Sequence, residues 1–278
     1  MLSDQWSPII NISDLDSANG EEMKKWALIT GASSGFGVDY ANILAARGYS
    51  LVITARRLDR LERLKLELKS KYSIDVHCIS SDLSSVNGVH NLYTGTKNLG
   101  IKIKVLINNA GFGTFGKFDD MDSKESKDMI QLNVSALTEL CHLYINDMKS
   151  LGGGHILLIA SLVGFMPTPF YSVYAATKAY VVSFGEALAV ELRPHNIHVS
   201  TLSPGMTKTE FMDVSGQKLT PVQKLIMMES LPVANKAIKR LFNKKTRTLP
   251  GWLANIFLII LKLIPSSIQA KLAYGSMK

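Results

Sequence analysis

The sequence predicts an α/β fold, a doubly wound parallel sheet covered by helices on both faces. Three observations carry that prediction. Short apolar runs of strand length alternate with longer segments of helical periodicity through most of the chain, as in sheets buried on both sides. A glycine-rich stretch, Thr30-Gly31-Ala32-Ser33-Ser34-Gly35-Phe36-Gly37, separates the first such strand from the first such helix. The chain's other chemistry-bearing segments fall just after a strand or in the helix that follows it, at the edge where such sheets bind ligands.

Strands are expected at Trp26–Thr30, Ser50–Ala55, Asp75–Ser80, Val105–Asn108, His155–Ala160 and His198–Ser203, each built on an apolar run. Helices are expected at Gly35–Gly48, Asp59–Tyr72, Ser85–Leu99, Lys124–Leu151 and Val173–Leu192. The first of these is periodic through Val38, Tyr40, Ile43, Leu44 and Ala46. At 278 residues, 46% of them hydrophobic, the chain suits one compact domain with a sizeable core. Residues 1–24 read as an N-terminal extension and 25–278 as the single domain.

A strand, a glycine turn and a helix N-terminus together place unpaired backbone N–H groups where a pyrophosphate can dock. Gly31 and Gly35 let the chain turn and approach a ligand, and Gly37 permits close helix–strand packing. The spacing is G-x-x-x-G-x-G, and an ordinary turn with a helix cap explains one or two of these glycines but not all three.

Tyr174 and Lys178 stand four residues apart on an expected helix, so phenol and ammonium project from one face. A fixed positive charge beside a phenol stabilises phenolate, which fits the tyrosine for proton transfer. Many surface helices carry such a pair, so its meaning depends on its company.

That company is an ordered series: Thr30 to Gly37, Asp82-Leu83, Asn108-Asn109-Ala110-Gly111, Asn133, Ser161, Tyr174-x-x-x-Lys178 and Pro204-Gly205. From about Lys25 to about Phe211 the chain resembles the classical short-chain dehydrogenase/reductase family. The resemblance implies a Rossmann-type domain and a nicotinamide dinucleotide held by Gly31, Ser33, Ser34, Gly35, Phe36 and Gly37. By the same resemblance Asp82, with Leu83, meets the adenine, and Asn109, Ala110 and Gly111 line the adenosine ribose side. Pro204, Gly205, Thr207 and Thr209 correspond to the loop gripping the nicotinamide carboxamide; ordinary turns are the alternative for both loops.

The end of the second strand bears on cofactor choice. A carboxylate there would hold the ribose 2′-hydroxyl of NAD, whereas this chain has Ala55-Arg56-Arg57. A guanidinium meets a 2′-phosphate bidentately, and Arg56 matches the family arginine that marks NADP(H) preference. Solvated residues opening a charged helix are the alternative, and Asp59 is close enough to be a ribose ligand.

The implied reaction interconverts a ketone and a secondary alcohol. Tyr174 is the expected acid/base, its pKa lowered by Lys178, which would also bind the nicotinamide ribose. Ser161, ending an apolar strand, would hydrogen-bond the carbonyl oxygen, and Ser172 is read as a helix N-terminal residue. Asn133 would hold a relay water; a buried amide bridging helix and strand is the alternative. A second class of function stays open, a cofactor-binding regulatory or scaffold protein of the same fold.

Residues 206–232 occupy the family's substrate lid, with Phe211, Met212, Leu225, Ile226, Met227, Met228 and Leu231 as a prospective apolar wall joined by Phe112, Phe115 and Phe165. They imply a small hydrophobic carbonyl or alcohol substrate, and packing is the alternative. In residues 233–278, a basic and apolar segment, the run Trp252–Ile264 is too short for an ordinary membrane span. Nine of the 31 basic residues and none of the 23 acidic ones follow Glu229, so the net charge of +8 arises there. Peripheral membrane contact, a pocket cover or a subunit interface would each use such a segment. No nucleic-acid motif accompanies the charge, and the six histidines show no metal-ligand spacing. Two distant cysteines, Cys78 and Cys141, and no basic-then-apolar leader point to a cytoplasmic protein. A homodimer or homotetramer is the family expectation, with the two long helices as candidate pairing faces.

Overall fold

The computed structural model describes residues 24–217 and 219–277. Of the expected N-terminal extension only Lys24 lies among them, bonded to Asp75 at 2.5 Å.

Seven parallel strands form the main sheet: β1 (Trp26–Thr30), β2 (Ser50–Ala55), β3 (Val76–Ser80), β4 (Ile103–Asn108), β5 (Gly154–Ile159), β6 (Ile197–Leu202) and β9 (Arg247–Thr248). Their order is β3-β2-β1-β4-β5-β6-β9, so the direction of winding reverses between β1 and β4. A crevice at that reversal, outside the carboxyl ends of the strands, is where such sheets receive a ligand. Two further short strands, β7 (Thr207–Lys208) and β8 (Met228–Glu229), pair in parallel beside the sheet.

Side chains alternate across the strands and feed two cores. Ala27, Ile29, Val105, Ile107, Leu157 and Ile159 enter a core with α1 (Phe36–Ala45) and α2 (Leu58–Lys71). Leu28, Ile103, Leu106, Ile156 and Leu158 point the other way, towards α3 (Gly88–Asn98), α5 (Leu137–Ser150) and α6 (Ser172–Glu191). The register Ile53↔Ile29↔Ile107 keeps like residues side by side across the centre. On α6 the buried stripe Tyr174, Lys178, Val181, Gly185 and Leu188 repeats at helical spacing, so the Tyr174–Lys178 pair lies on the inward face.

The expected helix over 124–151 is divided. Helix α4 (Ser123–Ile130) passes through one π-helical segment, Gln131–Ala136, before α5 begins. The wider turn contains Asn133, and local π geometry commonly accompanies a side chain that must be aimed.

The end of the chain adds elements that the strand and helix patterns did not include. Helices α7 (Phe211–Ser215) and α8 (Pro221–Leu225) fill the lid segment, but α9 (Ser230–Phe242) begins inside it. Val233, Ala234, Ala237, Ile238 and Leu241 on α9 are buried in the first core, and residues 247–248 add the seventh strand. Residues 233–248 therefore complete the sheet domain, because an amphipathic helix with that stripe buries it against α1. Only α10 (Trp252–Leu263) and α11 (Ser266–Met277) remain as a tail.

Candidate functional site

One elongated cavity of about 940 Å³ runs along the carboxyl edge of β1, β2, β4 and β5. Its floor begins at the β1–α1 turn. Gly31 has φ +65°, and a Cβ there would sit 2.9 Å from the Ala110 Cα, so only glycine lets β1 and β4 end so close together. A Cβ on Gly37 would fall 2.2 Å from the Gly31 carbonyl oxygen. Gly37 thus packs behind the turn and does not line the cavity, whereas Ser33, Ser34, Gly35 and Phe36 do. Gly35 N-caps α1 without a side-chain cap, so a bare helix N-terminus faces the space, the arrangement that takes a phosphate.

Asn109 fastens this floor. Its side-chain amide donates to the carbonyl oxygens of Thr30 (2.9 Å) and Gly31 (3.2 Å), while the backbone amides of Asn109 and Ala110 both donate to Thr30 Oγ1 at 2.9 Å. Asn109, Ala110 and Gly111 border the cavity, and the bonds of Asn109 are those of a strand-end brace.

At one end lie Arg56, Arg57, Ser81, Asp82 and Leu83. The Arg57 guanidinium donates to Ser33 Oγ at 3.1 Å and to Glu210 at 3.1 Å. Asp82 Oδ1 accepts from the amide and hydroxyl of Ser84 at 3.0 and 2.6 Å. Burial works to raise the Asp82 pKa, but the Ser84 bonds and the Arg56 charge bring it below the ordinary carboxylate range. Asp59 is exposed, bonded to Arg63 at 2.8 Å, and does not line the cavity. The expectation of a ribose ligand fails there because Asp59 turns along its own helix to Arg63, one turn on.

At the other end Ser161, Tyr174 and Lys178 converge from the β5 edge and α6. Lys178 Nζ donates to the Ile159 carbonyl at 2.8 Å. The Lys178 ammonium lies 5.6 Å from the Tyr174 ring centroid, over its face. Burial drives the phenol well above its usual pKa, with the neighbouring Ser161 pulling the other way. The expectation that Lys178 lowers it is not met, since the ammonium addresses the ring and a carbonyl rather than the hydroxyl. Burial also takes Lys178 itself down to about 8.

Asn133 is wholly buried and does not reach the cavity. It bonds both backbone groups of Phe112 and donates to Thr177 Oγ1 at 3.1 Å, tying the loop after β4 to α6. Pro204, Gly205, Thr207 and Thr209 close the far wall; Thr207 is fixed by the β7–β8 pair, and Thr209 Oγ1 accepts from the Phe211 amide at 3.3 Å. Ser172 opens α6, as read from the sequence.

Of the expected apolar wall, Phe112, Phe211, Met212, Ile226 and Met228 line the cavity. Leu225 and Leu231 are exposed, while Phe115 packs on Phe170 and Tyr171, and Phe165 lies under Arg247. Sequence reasoning missed Tyr171, Glu210, Gln217, Ala254 and Phe257, which also border the space. The Tyr171 hydroxyl lies 3.1 Å from Ser215 Oγ and 3.0 Å from Gln217 Oε1 and has one proton to donate to either, placing polar groups in the apolar wall. Glu210 sat beside the recognised Thr209, which was its available signal.

The residues present fit a dinucleotide: guanidinium groups at one end, a bare helix N-terminus midway, and a phenol with a hydroxyl at the other. The family model described as short chain dehydrogenase matches residues 25–219. A very-long-chain 3-oxoacyl-CoA reductase of Phaeosphaeria nodorum is 34% identical over 188 residues, which are 66% of this chain and 55% of that protein. The chain thus matches little more than half the length of that relative. A 17-beta-hydroxysteroid dehydrogenase type 3 of Mus musculus is 31% identical over 221 residues, 78% of this chain and 71% of the relative. A short-chain dehydrogenase from Sphingobium yanoikuyae, solved in complex with NADPH, superposes with a TM-score of 0.77 at 30% identity, covering 87% of this chain and 96% of that one.

Proposed function

The chain belongs to the short-chain dehydrogenase family, and from that premise we propose an NADP(H)-dependent oxidoreductase that interconverts a ketone and a secondary alcohol on a hydrophobic substrate. One observation carries this reading: Ser161, Tyr174 and Lys178 border together the same cavity that Ser33 and Arg57 border at its other end. A nicotinamide dinucleotide held in this cavity would supply the hydride chemistry. In reduction Tyr174 gives its proton to the carbonyl oxygen, and Ser161 donates a hydrogen bond to that oxygen as charge develops. A phenol whose burial disfavours the anion holds its proton until such an acceptor arrives. Lys178 would hold the nicotinamide ribose hydroxyls, and Asn133 acts from behind by fixing the loop and helix between which it lies. Arg56 and Arg57 supply the cations that favour a 2′-phosphate.

The substrate class follows from the wall. Phe112, Phe211, Met212 and Phe257 offer apolar surface beside the Ser161–Tyr174 pair, and the relatives named for 3-oxoacyl-CoA and hydroxysteroid substrates point to the same class. The test is oxidation of NADPH with a panel of 3-oxoacyl thioesters and bulky ketones, comparing wild type with Tyr174→Phe. Loss of roughly 10²–10⁴ in turnover is expected; undiminished turnover in the variant rejects Tyr174 as the acid.

The reading extends to partners. Ile130, Val134, Val173 and Ala176 line an apolar hollow on the outer side of α4, the π segment and α6, which suits pairing with a second copy of the chain. On α10 and α11, Ile259, Leu263 and Leu272 are exposed beside Lys262 and Lys271, which suits a peripheral contact with an anionic membrane from the cytoplasm. Among the described residues no helix is long and apolar enough to cross a membrane.

A further inference from the structure

Glu210 joins two parts of the site that no motif connects. It stands between Thr209 and the first residue of α7, yet its carboxylate reaches the far end of the cavity. Oε2 accepts from both terminal nitrogens of Arg57 at 3.1 Å, and Oε1 accepts from Arg60 at 2.6 Å. The remaining face of Arg57 is on Ser33, with Nε and Nη2 at 3.3 and 3.1 Å from the hydroxyl. Four of the five Arg57 N–H donors are therefore engaged, two of them by the carboxylate. Asp59, the nearest acid in sequence, is turned to Arg63 and takes no part.

This cluster is also mechanically placed. The residue after Glu210 is Phe211, whose ring lies 5.2 Å from that of Tyr174. A single backbone step thus separates the anchor at the arginine end from the wall of the reaction end.

We propose that Glu210 is a built-in competitor for the 2′-phosphate of the cofactor and, at the same time, the latch that ties the start of α7 to the end of β2. A phosphate ester carries close to two negative charges and three acceptor oxygens, against one charge and two oxygens on a carboxylate. It outbids Glu210 for Arg57 and Arg60, and as the carboxylate yields, the tether on α7 is released. Glu210 therefore weakens binding of the 2′-phosphorylated cofactor selectively and couples its arrival to the freedom of the substrate wall. The inference rests on NADP(H) being the cofactor.

Calorimetric titration with 2′,5′-ADP and with 5′-AMP, which lack the nicotinamide, tests it without turnover. In Glu210→Gln, a half-buried and isosteric change, 2′,5′-ADP should bind about three- to tenfold more tightly, the range set by two part-exposed ion pairs. The affinity for 5′-AMP should stay within about twofold. Hydrogen exchange of residues 210–215 should rise in wild type on adding 2′,5′-ADP and already be raised in the ligand-free variant. Unchanged or weaker 2′,5′-ADP binding in the variant, or equal shifts for both nucleotides, overturns the proposal while leaving the cofactor reading intact. Equal affinity of wild type for the two nucleotides removes the cofactor reading and this inference with it.

Discussion

Asn133 and Phe112 exchange two hydrogen bonds: the Phe112 amide donates to Asn133 Oδ1 at 3.1 Å, and Asn133 Nδ2 donates to the Phe112 carbonyl at 2.8 Å. An asparagine is the residue that can match a peptide group in this way, since its side chain is itself an amide with one donor and one acceptor edge. The pairing explains why the helix widens at Gln131–Ala136, aiming one side chain into a fully buried gap. Asn133→Ala would leave the Phe112 groups unpaired away from water, at a cost on the order of 3 kcal/mol. Chemical denaturation reads this directly; a loss under about 1 kcal/mol would mean that the loop finds other partners.

Lys178 makes a pH-dependent prediction. Its folded pKa is depressed to about 8 from an ordinary 10.5, because burial disfavours the ammonium. Below about pH 8 both folded and unfolded chains carry the proton, and its burial is a standing cost. From about pH 8 towards 10 the unfolded chain binds more protons, so this residue makes stability rise with pH. The whole effect is up to about 3 kcal/mol, at about 1.4 kcal/mol per unit. Above pH 10 Tyr174, with its raised pKa, acts in the opposite sense, because the folded chain then holds the extra proton. Unfolding of ligand-free wild type and Lys178→Met should therefore show different slopes between pH 8 and 10, the variant lacking the rise. Parallel curves would show that the ammonium is solvated.

The distribution of what could be read beforehand follows the physics. The first six strands of the sheet were legible because each is an apolar run whose alternate residues enter two cores. Ser161, Tyr174, Lys178 and the β1–α1 turn were legible because their chemistry depends on local spacing. Glu210 and Tyr171 were not, since their partners Arg57 and Gln217 lie 153 and 46 residues away. The seventh strand, two residues long, pairs with β6 alone among the described residues and carries no periodicity to detect. The division of α4 from α5 escaped because a π turn preserves helical composition. The Tyr174 pKa was misjudged for a different reason: spacing places Lys178 on the same face but does not say which atom the ammonium addresses.

Gly113 gives a prediction specific to the reaction end. A Cβ there would lie 2.7 Å from the Tyr174 ring and 3.0 Å from the Phe211 ring. Gly113→Ala must move one ring or the other, and a shift near 1 Å at a reacting group costs roughly a hundredfold in rate. Turnover should fall on that scale while the affinity for 2′,5′-ADP stays at the wild-type value. A matching loss of nucleotide affinity would show that the change disturbs the whole edge of the sheet.

The tail gives the last prediction, because α10 has two apolar sides. Ala254, Leu258 and Leu261 are buried, whereas Ile259 is 65% and Leu263 81% exposed. Lys262 lies among them, and no acidic residue follows Glu229 to oppose an anionic surface. Burying each of these side chains in a lipid interface contributes about 1.5–3 kcal/mol, and each lysine near an anionic leaflet about 1 kcal/mol. The Ile259→Asp, Leu263→Asp double variant should lose at least about tenfold in co-sedimentation with anionic vesicles. Binding of wild type to neutral vesicles should be weaker and insensitive to salt. A different result would redirect the assignment: if the double variant instead lowers the molecular mass in light scattering, with no vesicle binding by either protein, this face meets a second copy of the chain rather than a membrane.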